Sequence, residues 1–127
     1  MRYASRLQRL GAWAIELVVV AAFFLVAMIF SGGSYFAVFV IALTAMWLYF
    51  AGLESSPLQS TLSGRILGLR VTDLDGEPVS FNRATVRYFA MYFSALTPFA
   101  IGYLMAFWTK RRQTLHDYVS STLVLRK

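Results

Sequence analysis

Cysteine is absent from this 127-residue chain, histidine occurs once, proline three times, and charged side chains make up only 14%. Without cysteine there can be no disulfide framework, thiolate zinc site, thiol nucleophile or palmitoyl anchor, and nothing in the sequence points to the redox state of the compartment. A single histidine leaves a metal centre two or three ligands short. The scarcity of charge excludes an ordinary soluble domain: such domains are about 25% charged and roughly 45–50% apolar, whereas this chain is 58% hydrophobic and 17% aromatic. Too few polar residues remain to cover a core of this size, so the excess apolar surface must face lipid or a partner. The length allows one domain, residues 1–127.

Several chemical signatures are also missing. No nucleophile elbow, Ser-x-x-Lys pair or zinc-protease helix occurs, and the glycines at 32–33 and 64–68 fit neither a dinucleotide fingerprint nor a P-loop. A non-enzymatic protein without cofactor or metal is therefore expected.

The basic residues give a net charge of +6 and are clustered. Arg2, Arg6 and Arg9 precede the first apolar run; Arg65, Arg70 and Arg83 lie in the central polar stretch; Lys110, Arg111, Arg112, Arg126 and Lys127 follow the last apolar run. Charges that punctuate hydrophobic segments mark the cytoplasmic side of a membrane, while a phosphate-binding face would gather them on one surface. Nucleic acid is therefore not an expected partner; the lipid bilayer is.

The first apolar run, residues 10–30, matches the roughly 20 residues that cross a hydrocarbon core of about 30 Å. Its dozen or so Leu, Ile, Val and Phe contribute about −0.3 to −0.6 kcal/mol each, against roughly 2.5–3.5 kcal/mol for the one acid, Glu16, so insertion wins by a modest margin. The run exceeds the usual signal-peptide core of about 7–15 residues and reads as a retained span. Ser31, Gly32, Gly33 and Ser34 form an uncharged turn into a second span, residues 35–53, making a helical hairpin. Tyr35 at one end of it and Trp47 and Tyr49 near the other suit the headgroup belts. Residues 54–83 are polar and belong to the aqueous face. They hold a short amphipathic turn and strand at 66–71 and an Asp75-Gly76 turn, and Pro78 confines any following strand to an edge. The β-branched tail, residues 120–126, is expected to pair with 69–73 in a small cytoplasmic sheet.

The third apolar run, residues 85–108, could cross once. A single crossing would set Lys110, Arg111 and Arg112 opposite the other basic clusters and separate the two strands. Pro98 near its middle, with Gly102 after it, instead suits a re-entrant hairpin of two arms of about a dozen residues. The expected architecture is thus mostly α: two full membrane helices, a third segment that either spans or re-enters, and a small sheet, with both termini on the cytoplasmic side of the cell (inner) membrane.

Arg9 and Glu16 lie two helical turns apart, about 10 Å along one face, so each needs another partner inside the bilayer. The preferred pairing is Arg9 with Asp117 and Glu16 with Arg87; the alternative is the reverse. Such a network is either an ion pathway or a set of clamps tying the tail to the first helix. His116, next to Asp117, reads as a capped or interfacial histidine, with a proton relay as its functional alternative.

The arrangement resembles the RDD family of small membrane proteins, named for one arginine and two aspartates. Arg9-Leu10 followed by Ile15-Glu16 resembles its opening helix. Ser56-Pro57, Thr61-Leu62 and residues 65–71 resemble its "SPGQTLGKRLLGLRV" stretch, with Asp75-Gly76 at its turn. Arg83-Ala84 and Arg87 resemble "RALLR", and residues 111–117, RRQTLHD, its closing motif. Two departures stand out: Glu16 replaces an aspartate with an arm one methylene longer, and Ser63-Gly64-Arg65 replaces Gly-Lys-Arg. The resemblance implies a membrane domain and transport, cation–proton exchange being attributed to some members. It suggests a subunit of a small transporter or ion-conducting homo-oligomer in which Glu16 binds or relays a cation or proton. The alternative is an accessory scaffold holding a protein partner or anionic lipid.

Overall fold

The computed structural model describes residues 2–97 and 101–126. Its first element, α1 (Arg6–Phe30), begins at Ser5, whose hydroxyl accepts from the Gln8 amide while the Gln8 side chain caps Ser5 in return. This capping box satisfies two of the helix's orphan donors. Ser34 caps α2 (Tyr35–Glu54) through its hydroxyl alone, which accepts from the Ala37 amide. Both helices are long and apolar enough to cross a membrane, and the turn between them carries the left-handed glycines Gly32 and Gly33. The expected hairpin is present, with each helix slightly longer than its apolar run.

Past α2 the chain folds back as α3 (Leu62–Leu67), which packs on α1 and ends at Gly68 in the left-handed conformation. That glycine turns the chain into β1 (Leu69–Asp73). Asp73 organises the next turn, its Oδ1 accepting from the amides of Asp75 and Glu77 at 2.9 Å. Residues 78–80 form no strand. Instead Ser80 caps α4 (Phe81–Leu96) through the Arg83 amide, so the third helical segment starts four residues before the apolar run that announces it. After α4 come α5 (Ile101–Leu104), a 3-10 turn (Met105–Phe107), α6 (Leu115–Ser120) and β2 (Thr122–Arg126).

β1 and β2 pair antiparallel, with Val71 opposite Val124, as the tail composition predicts. The N-terminal arm adds to the other edge of β2, through the Ala4 amide to the Val124 carbonyl at 3.0 Å and a Tyr3–Leu125 bridge. Nothing in the hydropathy pattern announces that contact. Ala4, Ala51, Leu69, Val71, Val79, Ala84 and Val124 form the core beneath this sheet. Residues 3–9, 69–73 and 122–126 are thereby held at one end of the molecule.

The third apolar segment is a bent pair, α4 and the Ile101–Phe107 stretch meeting at 114°. Its arms are unequal, 16 and seven residues, where two of about a dozen are expected. Pro98 lies outside the described residues. Gly102 lets the second arm press onto the first, since a Cβ there would come within 2.6 Å of the Ser94 Cα. Trp47 and Tyr49 direct their polar tips to partners within the protein. The Trp47 indole donates to Thr85 Oγ1 at 3.1 Å and the Tyr49 hydroxyl accepts from the Leu62 amide at 3.0 Å.

Candidate functional site

Four charged side chains from four elements converge beneath the sheet. Arg9, Glu54, Arg87 and Asp117 are all buried, Asp117 completely. Asp117 is the hub. Its Oδ2 accepts from Arg9 Nη2 at 2.6 Å and from the Thr114 amide at 3.1 Å, while its Oδ1 accepts from Arg87 Nη1. Asp117 therefore closes the capping box that starts α6 and at the same time neutralises two guanidinium groups. Arg87 continues the chain, its Nε donating to Glu54 Oε2 at 3.0 Å and its Nη1 to Thr122 Oγ1 at 3.2 Å. Two cations and two anions cancel, which is the condition for keeping four charges out of water.

The expected Arg9–Asp117 pair is present; the expected Glu16–Arg87 pair is not. Glu54 takes the place assigned to Glu16, and it was legible only as an acid bordering an apolar run. Glu16 is bound instead by neutral donors. Its Oε1 accepts from the Thr61 hydroxyl, from the Ser63 hydroxyl at 2.7 Å and from the Ser63 amide at 3.4 Å, and its Oε2 from the Tyr49 hydroxyl at 3.4 Å. Sequence reasoning missed this hydroxyl set. Its signal is Thr61-x-Ser63 beside the polar turn, which α3 carries onto α1. Among the described residues no cationic group lies within 4 Å of the Glu16 carboxylate.

His116 is buried between Ser94 Oγ, 3.0 Å from Nδ1, and Thr114 Oγ1, 3.0 Å from Nε2. The network assigns the tautomer: with Nδ1–H donating to Ser94, the Ser94 hydroxyl can donate to the Ala90 carbonyl and the Thr114 hydroxyl to Nε2, so every proton has an acceptor. Burial first, then the nearby Arg87 and Arg9 charges, hold the imidazole pKa well below its ordinary value. His116 is thus a neutral, satisfied core histidine, 3.7 Å from Asp117 Oδ1. Among the described residues no group of three or more metal-ligating side chains occurs.

These residues border a cavity of about 550 Å³ between α1, α2 and α4, with Arg9, Glu16, Glu54, Arg87 and His116 in its wall. Residues 3–121 match the sequence model of the RDD family. The chain belongs to the RDD family. This RDD protein is similar to the uncharacterized protein YxaI of Bacillus subtilis (strain 168), 39% identical over 80 residues that make up 63% of this chain and 52% of the relative. It is also similar to a proline-rich antigen homolog of Mycobacterium tuberculosis, 29% identical over 79 residues, 61% of this chain and 32% of the relative. The matched part thus spans about half of one relative and a third of the other. No solved structure matches this RDD protein.

Proposed function

We propose that this RDD membrane protein binds and passes a monovalent cation or proton at Glu16, as a subunit of a small homo-oligomeric transporter. The observation that carries this reading is the Glu16 carboxylate itself, surrounded by hydroxyl oxygens, without a cationic partner among the described residues, and bordering the cavity. Intramembrane acids of this kind usually face ion or proton routes. The neighbouring Arg9, Glu54, Arg87 and Asp117 cancel one another, so they shape the site without supplying a counter-ion. Two long helices and one bent pair scarcely enclose a pathway, which favours an oligomer.

Both termini and the segment after α2 are assigned to the cytoplasm. The shared sheet and the exposed Arg2, Arg6, Arg65, Arg83, Lys110 and Arg111 support this, since basic residues are retained on that side and attracted to anionic lipid. The same basic rim favours the accessory reading, in which the protein holds a partner or lipid; near one-to-one crosslinking to an unrelated protein in intact membranes would support it.

Cation-driven proton flux in proteoliposomes tests the transport reading. Wild-type protein should carry flux, Glu16→Asp should keep a part of it, and Glu16→Gln should lose it. Equal flux from Glu16→Gln, or none from wild type, overturns the reading. For orientation, an impermeant maleimide on intact cells should label Tyr35→Cys and spare Asp75→Cys and Lys110→Cys; labelling of Lys110→Cys from outside would make the third segment a crossing.

A further inference from the structure

The charges around the cavity balance, but its hydrogen bonds do not. Arg70 borders the space together with Arg9 and Arg87. These three cations stand against Glu16, Glu54 and the Asp117 that Arg9 and Arg87 hold. A charged guest would upset that balance among groups already withdrawn from water. Glu16 is well supplied with donors, accepting from three hydroxyls and an amide. The buried side-chain atoms left without a partner among the described residues are both donors, Arg9 Nε and Arg70 Nε. Arg9 is only 4% exposed and gives Asp117 its Nη2 alone. A buried N–H left unpaired is costly, so what the site lacks is an acceptor.

The rest of the space sets the body of a guest. At about 550 Å³ it falls within the roughly 300–1,000 Å³ of small-molecule pockets. Trp13, Phe50, Tyr92 and Tyr103 stand in its wall and suit a flat ring through edge-to-face and offset contacts. Leu10, Leu17 and Leu104 line it and are also 44%, 70% and 37% exposed on α1 and α5, so its rim is apolar and meets lipid once α1 spans the bilayer. We propose that the cavity takes a neutral, membrane-dissolved ketone on a flat ring, the head-group chemistry of a quinone, with its carbonyl oxygen accepting from the Arg9 Nε–H. Neutrality keeps the charge balance, and a carbonyl brings an acceptor without a donor. An ammonium would add both a charge and donors, and a carboxylate would add a charge. The inference goes beyond the cation reading of Glu16 and is independent of it, because Glu16 keeps its hydroxyl partners.

Binding of 2-acetylnaphthalene, measured by calorimetry on the protein in phosphatidylcholine nanodiscs and referred to protein-free nanodiscs, tests the proposal. Wild type should bind the ketone saturably. At equal concentration in the bilayer, 2-ethylnaphthalene, the same skeleton without the oxygen, should bind at least roughly tenfold more weakly, in line with loss of one hydrogen bond to a charged group. The matching naphthylethylamine and naphthoate, which carry an ammonium or a carboxylate in place of the ketone, should also bind more weakly than the ketone. Arg9→Lys, which keeps a cation for Asp117 but has no Nε–H, should lower ketone binding to the level of the hydrocarbon and leave hydrocarbon binding unchanged. Ala95→Trp, at an exposed α4 position on the cavity wall, should weaken ketone and hydrocarbon alike while leaving the thermal midpoint unchanged. If Arg9→Lys does not fold, the ligand series and Ala95→Trp still decide. Equal binding of ketone and hydrocarbon, tighter binding of the amine or the carboxylate, or ketone binding unaltered by Ala95→Trp overturns the proposal.

Discussion

Arg9 and Asp117 stand 108 positions apart in the chain and 2.6 Å apart in space. Their bond ties the first helix to α6, and through α6 to the strand that completes the sheet. Asp117 has two further duties, to Arg87 and to the Thr114 amide, whereas Arg9 makes a single side-chain hydrogen bond and keeps its Nε–H buried without an acceptor among the described residues.

The pair should therefore be coupled but unequal. Arg9→Ala is expected to cost about 3–5 kcal/mol, the usual penalty for stranding one member of a buried pair. Asp117→Ala should cost more, because it strands Arg9, leaves Arg87 with Glu54 as its one anion, and removes the carboxylate half of the α6 capping box. In a double-mutant cycle on detergent-solubilised protein the coupling should reach roughly 0.5–3 kcal/mol; simple additivity would show that the two do not meet.

Replacement of each arginine by lysine should separate their roles. Arg9→Lys can still offer one N–H to Asp117. Arg87→Lys cannot span Glu54, Asp117 and Thr122 at once, because a compact ammonium lacks the planar fork that reaches them in fixed directions. Arg87→Lys should be the more destabilising by about 1.5–3 kcal/mol, the range for one lost hydrogen bond to a charged group, measured as the shift in unfolding free energy. Equal costs would place the two guanidinium groups in equivalent roles.

His116 predicts a pH dependence with a definite sign. Its pKa is depressed in the folded protein, so below about pH 6.5 the unfolded chain takes up a proton that the folded one refuses. The contribution is constant above that pH and is lost as pH falls. Between pH 7.5 and 5.5 wild type should lose about 1 kcal/mol more stability than His116→Gln, in which the histidine titration is gone while the carboxylates remain. Parallel losses would mean that the imidazole protonates within the fold.

Two glycines should respond oppositely to the same change. Gly102→Ala drives a Cβ to 2.6 Å from the Ser94 backbone and should cost about 1–3 kcal/mol as α5 is forced off α4. Gly52→Ala, with nothing within 4 Å of its Cβ position, should be neutral or slightly stabilising, given the roughly 1 kcal/mol helix preference for alanine. Thermal unfolding midpoints of the two variants check this; a neutral Gly102→Ala would mean that the bend has room to spare.

The sequence by itself determined the membrane class, the helical hairpin and the pairing of the tail with 69–73, because each rests on local composition: apolar run length, turn residues and β-branched content. It also reached the Arg9–Asp117 bond, since placing both basic clusters on one side leaves these two charges at the same level. Only the tertiary structure decided the rest. Glu16 sits about 10 Å along α1 from Arg9, and whether it meets Arg87 or a set of hydroxyls depends on where residues 54–68 fold back, which hydropathy does not encode. The packing of α3 on α1 delivers Thr61 and Ser63 to Glu16 and leaves Arg87 to Glu54 at the end of α2. The bend of the third segment likewise depends on how closely Gly102 approaches Ser94, a contact between two short helices that no periodicity in either one announces.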